Sequence, residues 1–288
     1  MAEISASQVI KLRKISGQGM MDCKKALEQA GGDVEAAMDI LRKKGLATLS
    51  KRSGRETSEG IVVGRTSPDG RIAVLATLCC ETDFVARSED FVAAAETLGY
   101  YAMACEENQG AENVLKTSID NKKFNEYLTE VVSKTGEKIQ VGDFAKYQLA
   151  GPGLITMYIH FNKKVGTMVE IQTSDENMAS CDRMQQAASD IAMHITATNP
   201  LALDRSGISP ETIEREKAIC AEQFKDKPAN VADKIAEGRM KKFYSENCLL
   251  EQPFVKDDSK TVADVLAEVG KQGAGWAKIT KFARFGVG

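Results

Sequence analysis

The residues able to do chemistry are few and scattered. Seven Cys stand at 23, 79, 80, 105, 181, 220 and 248 with no CxxC pair, and the only histidines are His160 and His194. Such an inventory builds neither a zinc site nor a disulfide framework, because an odd count always leaves one thiol over. Cys79 and Cys80 close a strand-like run, so their side chains point to opposite faces, and all seven read as small core residues with free thiols. His194 stands on the apolar side of a helix beside Met193 and Ile195 and reads as a hydrogen-bonded core histidine, whereas His160 falls in a hairpin. No GxxxxGK[ST], GxSxG, HExxH or DxDxDG occurs, and Gly270-Lys271-Gln272-Gly273-Ala274-Gly275 lacks the strand-then-helix setting of a dinucleotide loop. These absences argue against an enzyme, a metal centre, a cofactor site or direct nucleotide binding.

Two apolar spots have no periodic reason to exist. In Thr82-Asp83-Phe84-Val85 a large ring sits between a strand-like run and a helix that Ser88 can cap. Either Phe84 folds back as a hydrophobic staple, or it projects as a contact for something else. Met20 and Met21, which follow Gly19 in what reads as a loop, face the same choice between core plug and exposed contact.

The elements that must position these residues are legible. At 288 residues the chain has room for about two domains, and its 43% apolar and 27% charged composition is that of a folded protein. No apolar run reaches the roughly 18 residues of a membrane span, and the N-terminus, acidic at Glu3, lacks a signal peptide, which places the protein in the cytosol. Residues 1–47 predict three short helices, the first capped by Ser5 or Ser7, the second beginning near Asp22, the third capped by Asp33 and stopped at Gly45. Residues 48–58, small and charged, read as a mobile linker.

From Gly60 the period changes to two. A hairpin turns at Ser67-Pro68-Asp69-Gly70, and a helix follows with Phe91, Val92, Ala95, Leu98 and Tyr101 on one face. About 92 residues later the order recurs, with strands near Gly153–Tyr158 and Val165–Ile171 and then a helix carrying Met184, Ala188, Ile191 and Ile195. The expected fold is α+β: a three-helix bundle, two related α/β subdomains with antiparallel sheets over 59–151 and over 152–204 with 244–288, and a helical hairpin inserted at 205–243. The stripe that zips this hairpin is Ile213, Cys220, Ala221 and Phe224 against Val231, Ile235, Met240 and Phe243. Charge is divided unevenly: residues 1–55 hold eleven Lys/Arg against six Asp/Glu, although the whole chain nets -3. The front therefore suits an acidic surface, whether of nucleic acid or of protein.

Four segments carry a resemblance. Gly19-Met20-Met21-Asp22-Cys23-Lys24-Lys25-Ala26-Leu27, Thr82-Asp83-Phe84-Val85-Ala86, Glu237-Gly238-Arg239-Met240-Lys241-Lys242-Phe243 and Gln252-Pro253-Phe254-Val255 occur in the order found in the elongation factor Ts family, the exchange factors of elongation factor Tu. The chain resembles that family over nearly its whole length. The resemblance implies a ubiquitin-associated-type bundle, two core subdomains and a coiled-coil insertion that serves dimerisation in relatives possessing it. It implies that Thr82, Asp83, Phe84 and Val85 displace magnesium from elongation factor Tu, with Phe84 as the intruding ring. It further implies that Arg13, Met20 and Met21 touch the partner's nucleotide domain and that His160 faces its third domain. Both the GDP-bound and the nucleotide-free partner would be bound. Many relatives carry a further helical module after the last strand, and its contacts are not carried over to a chain ending Phe285-Gly286-Val287-Gly288.

Overall fold

The computed structural model describes residues 4–223 and 229–288, with the side chains at 49 and 220–233 outside that description. The front is a bundle of α1 (Ala6–Ser16), α2 (Met20–Gln29) and α3 (Val34–Lys51). Ser5 caps α1 through a capping box with Gln8, and Gly17, at φ 66°, ends it. Val9, Leu12, Cys23, Leu27, Ala37 and Leu41 make the bundle's small core.

Two expectations about this region are corrected. Gly45 does not stop the third helix, which runs on to Lys51. A Cβ at Gly45 would lie 2.6 Å from the Thr129 carbonyl oxygen, so glycine is there to let α3 cross closely over α7 (Phe124–Thr135). The Ser133 hydroxyl donates to the Leu41 carbonyl at 3.1 Å, and Arg42 pairs with Glu126 at 3.3 Å. Nor is 48–58 a free linker following a bundle that ends at 47. Its first part is helix, Arg52 donates to both carboxylate oxygens of Glu81 at 2.8 Å, and Lys138 Nζ donates to the Ser53 and Arg55 carbonyls.

Behind the bundle lie two units built alike. The first comprises β1 (Glu59–Thr66), β2 (Ile72–Cys80), α4 (Asp83–Ala86), α5 (Glu89–Ala104), α6 (Ala111–Lys116), the short pair β3 (Ser118–Ile119) and β4 (Lys122–Lys123), α7 and β5 (Ile139–Gln148). The second comprises β6 (Gly153–Ile159), β7 (Val165–Thr173), α8 (Glu176–Ser180) and α9 (Asp182–Thr198). After α10 (Pro210–Gln223) and α11 (Ala229–Asn247) it is completed by β8 (Pro253–Phe254), β9 (Asp257–Thr261), α12 (Val262–Gln272) and β10 (Ala277–Gly286). The sheets are antiparallel, ordered β1-β2-β5 and β10-β7-β6, so in each the last strand joins the same side of the hairpin.

The repeat holds residue by residue at a spacing of 93. Ile72 and Val165 open the second strands, and Thr82 and Asp175 cap the short helices that follow. Gly60 and Gly153 each sit where a Cβ would strike a neighbouring carbonyl, at 2.2 and 2.4 Å.

The two sheets face each other across Val62, Leu75, Tyr147 and Met168. On the outer side of the first, Val74, Leu78, Phe91, Leu98, Phe124 and Val132 form a core under α5 and α7; on the outer side of the second, Val169, Ile171, Met184, Ile191, Leu266 and Ile279 do the same under α9 and α12. Both central strands are covered on both faces and buried along nearly their whole length; β2 reads accordingly as an almost continuous apolar run, whereas β7 keeps Thr167 and Glu170 among its buried residues. Of the hairpin stripe, Ile213 packs with Phe243 against Ala202, Ile208 and Cys248, and Met240 is buried; Phe224 and the side chains of Cys220, Ala221 and Val231 lie outside what the structure describes. Among the described residues no helix is long and apolar enough to cross a membrane.

Candidate partner-binding surface

Thr82 begins the turn that follows β2. Its backbone N–H donates to Glu137 Oε2 at 3.0 Å and its hydroxyl donates to Glu137 Oε1 at 2.6 Å. The same Oγ1 accepts from the Val85 N–H at 3.3 Å, so Thr82 is the N-cap of the one-turn helix α4. The Cys80 thiol donates to the Thr82 carbonyl at 3.2 Å, and Ser88 then caps α5. Within the turn Ala86 is buried and Val85 packs against the first core. Phe84 points the other way and is 84% exposed, which settles the choice between staple and projection in favour of projection. Asp83 pairs with Arg87 at 3.1 Å on the surface.

Burial pushes the Cys80 thiol up to about 12, the Glu137 carboxylate adding to the effect, so Cys80 is a packed donor and not a nucleophile. Partial burial disfavours ionised Glu81, but the Lys138 N–H and the Arg52 and Arg55 guanidinium groups outweigh it and hold the carboxyl below the ordinary range.

The other expected residues lie elsewhere. Met20 and Met21 occupy the first turn of α2, not a loop, and are 41% and 64% exposed, while Arg13 is exposed on α1. His160 sits at the tip of the β6–β7 hairpin, half-buried, with its Nδ1 3.1 Å from the Tyr158 hydroxyl. Beside it Phe161, a residue the sequence reading missed, is 87% exposed with its ring centroid 4.4 Å from the imidazole. Its signal was available: a large ring between two alternating strands, directly before the Asn162-Lys163 turn, has no core to enter. Lys164 on this tip pairs with Glu59 at 2.7 Å, and Glu59 is the strand partner of Cys80, so the tip lies at the end of the first sheet from which α4 departs. The three groups stand apart, on α4, on the bundle helices α1 and α2, and at the β6–β7 tip, and among the described residues no hydrogen bond or ion pair joins them.

His194, by contrast, is fully structural. Its Nδ1 accepts from the Val255 N–H at 3.2 Å, which leaves Nε2 to donate to Gln252 Oε1 at 2.9 Å, and burial lowers its pKa. The described cysteines are all free, with Cys23, Cys80, Cys105 and Cys248 buried.

The elongation factor TS family model matches residues 81–288. The chain is 43% identical over 288 residues to elongation factor Ts of Nitratiruptor sp., the match covering 99% of this chain and 93% of that protein. It is 39% identical to elongation factor Ts of Desulfovibrio desulfuricans, covering 99% and 98%, and 40% identical to that of Prosthecochloris aestuarii, covering 100% of both. With a family match over most of its length and relatives of this identity aligned from end to end, the chain belongs to the elongation factor Ts family.

Proposed function

We propose that this chain is the guanine-nucleotide exchange factor of elongation factor Tu: it binds the GDP-bound factor, displaces its magnesium ion and promotes GDP release, so that GTP can enter the nucleotide-free factor. The observation that carries this reading is Phe84, a nearly fully exposed ring on a turn pinned by the bonds of Thr82 to Glu137 and of the Val85 N–H to Thr82. Mg²⁺ neutralises the phosphates of a bound nucleoside diphosphate, so dislodging it weakens the nucleotide without any bond being made or broken. The protein is accordingly a binding partner and not an enzyme. Coupling is reciprocal: a factor that prefers the empty partner weakens GDP by the same ratio that GDP weakens it.

Burying one Phe contributes about 1.5 to 3 kcal/mol, which is roughly one to two decades in an equilibrium constant. Acceleration beyond that must come from a wider interface. Arg13, Met20 and Met21 on the bundle would contact the nucleotide domain, and His160 the third domain. Division of the chain into bundle, two core subdomains and a coiled-coil insertion over 205–243 fits these roles, with the insertion serving self-association and the whole acting in the cytoplasm beside the ribosome's elongation cycle. The test is release of a fluorescent GDP from elongation factor Tu with and without the chain. Acceleration supports the reading; no acceleration at saturating concentration removes it.

A further inference from the structure

Phe84 is useful only if the turn carrying it keeps its shape without help from the ring. A four-residue helix is far shorter than the length at which a helix sustains itself in water, so its conformation is imposed from outside. Besides the packing of Val85 and Ala86 on the first core, part of that imposition passes through a residue from a distant part of the sequence. Glu137 follows the left-handed Gly136 that ends α7, and its two carboxylate oxygens take both donors of Thr82, the N–H at 3.0 Å and the hydroxyl at 2.6 Å. A hydroxyl that gives its proton to Glu137 has its lone pairs left for the Val85 N–H, so the carboxylate fixes the rotor of the cap as well as the position of its backbone.

The neighbouring residues repeat the arrangement. Lys138 donates its N–H to Glu81 at 2.7 Å, so the dipeptide Glu81-Thr82 is bonded side by side to the dipeptide Glu137-Lys138. Glu81 also receives Arg52 and Arg55 from the segment that follows the bundle, and α7 is the helix on which α3 rests at Gly45. Helix α7 and the loop after it are thus the common support of the bundle, of the segment that follows it and of the turn bearing Phe84.

We propose that Glu137 is a positioning residue for exchange: it does not touch the partner, but holds Thr82 so that Phe84 is presented in the orientation that enters elongation factor Tu. This inference rests on the role proposed above for Phe84. Its test uses the full-length chain and measures GDP release over a range of chain concentrations, separating the limiting rate from the half-saturating concentration. Loss of a helix cap typically weakens the capped turn by about fivefold to tenfold. Glu137→Ala is therefore expected to lower the limiting rate by about that factor while changing the half-saturating concentration by less than about threefold, with Glu137→Asp recovering part of the loss. In hydrogen exchange the Val85 and Ala86 amides are expected to open faster, the core amides staying unchanged. Because Glu137 acts through Thr82, adding Thr82→Val to Glu137→Ala should cost no more than the larger single change. A limiting rate within twofold of the unmodified chain overturns the proposal, as does a loss in both Glu137 variants that tracks a fall in melting temperature. Phe84→Ala, run alongside, separates the two claims: if it leaves release intact, the role of Phe84 fails; if it abolishes release while Glu137→Ala does not slow it, only the positioning role fails.

Discussion

Replacing Phe84 by Ala tests whether the ring serves the partner or its own fold. The ring is 84% exposed in the free protein, so its removal takes little apolar area away from the core. Alanine is also the better helix former, by about half a kcal/mol, at a position inside α4. The melting temperature should therefore stay level or rise slightly. A buried Phe, by comparison, costs about 3 to 5 kcal/mol on truncation, which in a chain of this size corresponds to a fall of the order of 10 °C. On the proposed role the balance reverses in the complex, because the burial energy of the ring, about 1.5 to 3 kcal/mol, would be realised only against elongation factor Tu. GDP release driven by the variant should slow by roughly ten- to a hundredfold. Stopped-flow release of a fluorescent GDP, beside differential scanning calorimetry of the free protein, reads both quantities. Unchanged release, or slowed release accompanied by a large thermal loss, would refute the reasoning.

Asp83→Ala should slow release less than Phe84→Ala, since the exposed pair with Arg87 is worth at most about 1 kcal/mol; an equal or larger loss in the same assay would mean that charge and not the ring drives the exchange. Gly45→Ala would gain helix propensity if the bundle were free, but a Cβ 2.6 Å from the Thr129 oxygen should instead destabilise by about 1 to 3 kcal/mol, measured by urea unfolding, and a stabilised variant would show that the bundle is not seated on α7. His194 is held neutral by burial, so its pKa in the fold lies below its unfolded value near 6.5; stability is full above that pH and declines as pH falls through it towards the folded pKa, and His194→Asn should flatten this part of the profile. Replacing residues 209–239 by a short Gly/Ser turn should leave release through Phe84 intact while altering self-association or the stoichiometry of the complex, read by light scattering; collapse of release with an intact circular dichroism spectrum would place the hairpin on the partner.

What was legible in the sequence was whatever local chemistry decides. The caps at Asp33 and Ser88, and the choice of Ser5 or Ser7 for the first helix, follow from a side-chain oxygen placed three residues ahead of a waiting N–H, and the repeated hairpins follow from period-two patterning and turn residues. What escaped was set by contacts distant in sequence. Gly45 looks like a helix stop until α7 is seen against it, because a close approach and a terminus call for the same missing Cβ. Glu137 lies 55 residues from Thr82 and is one acidic residue among 41, with nothing local to mark it. For Phe84 the composition of the segment raised the question but did not answer it: a staple and a projecting contact have the same sequence, and only the burial of Val85 and Ala86 on the opposite side of the turn distinguishes them.

The central claim is that Phe84 acts on the partner's magnesium. The direct measurement is GDP release from elongation factor Tu with the unmodified chain and with Phe84→Ala, first with magnesium present and then after its removal by EDTA. With magnesium present the two proteins should differ by roughly ten- to a hundredfold. Once the ion is gone its displacement is no longer needed, so basal release should rise and the difference between the two proteins should shrink to a few-fold. A difference of the same size with and without magnesium would contradict the account.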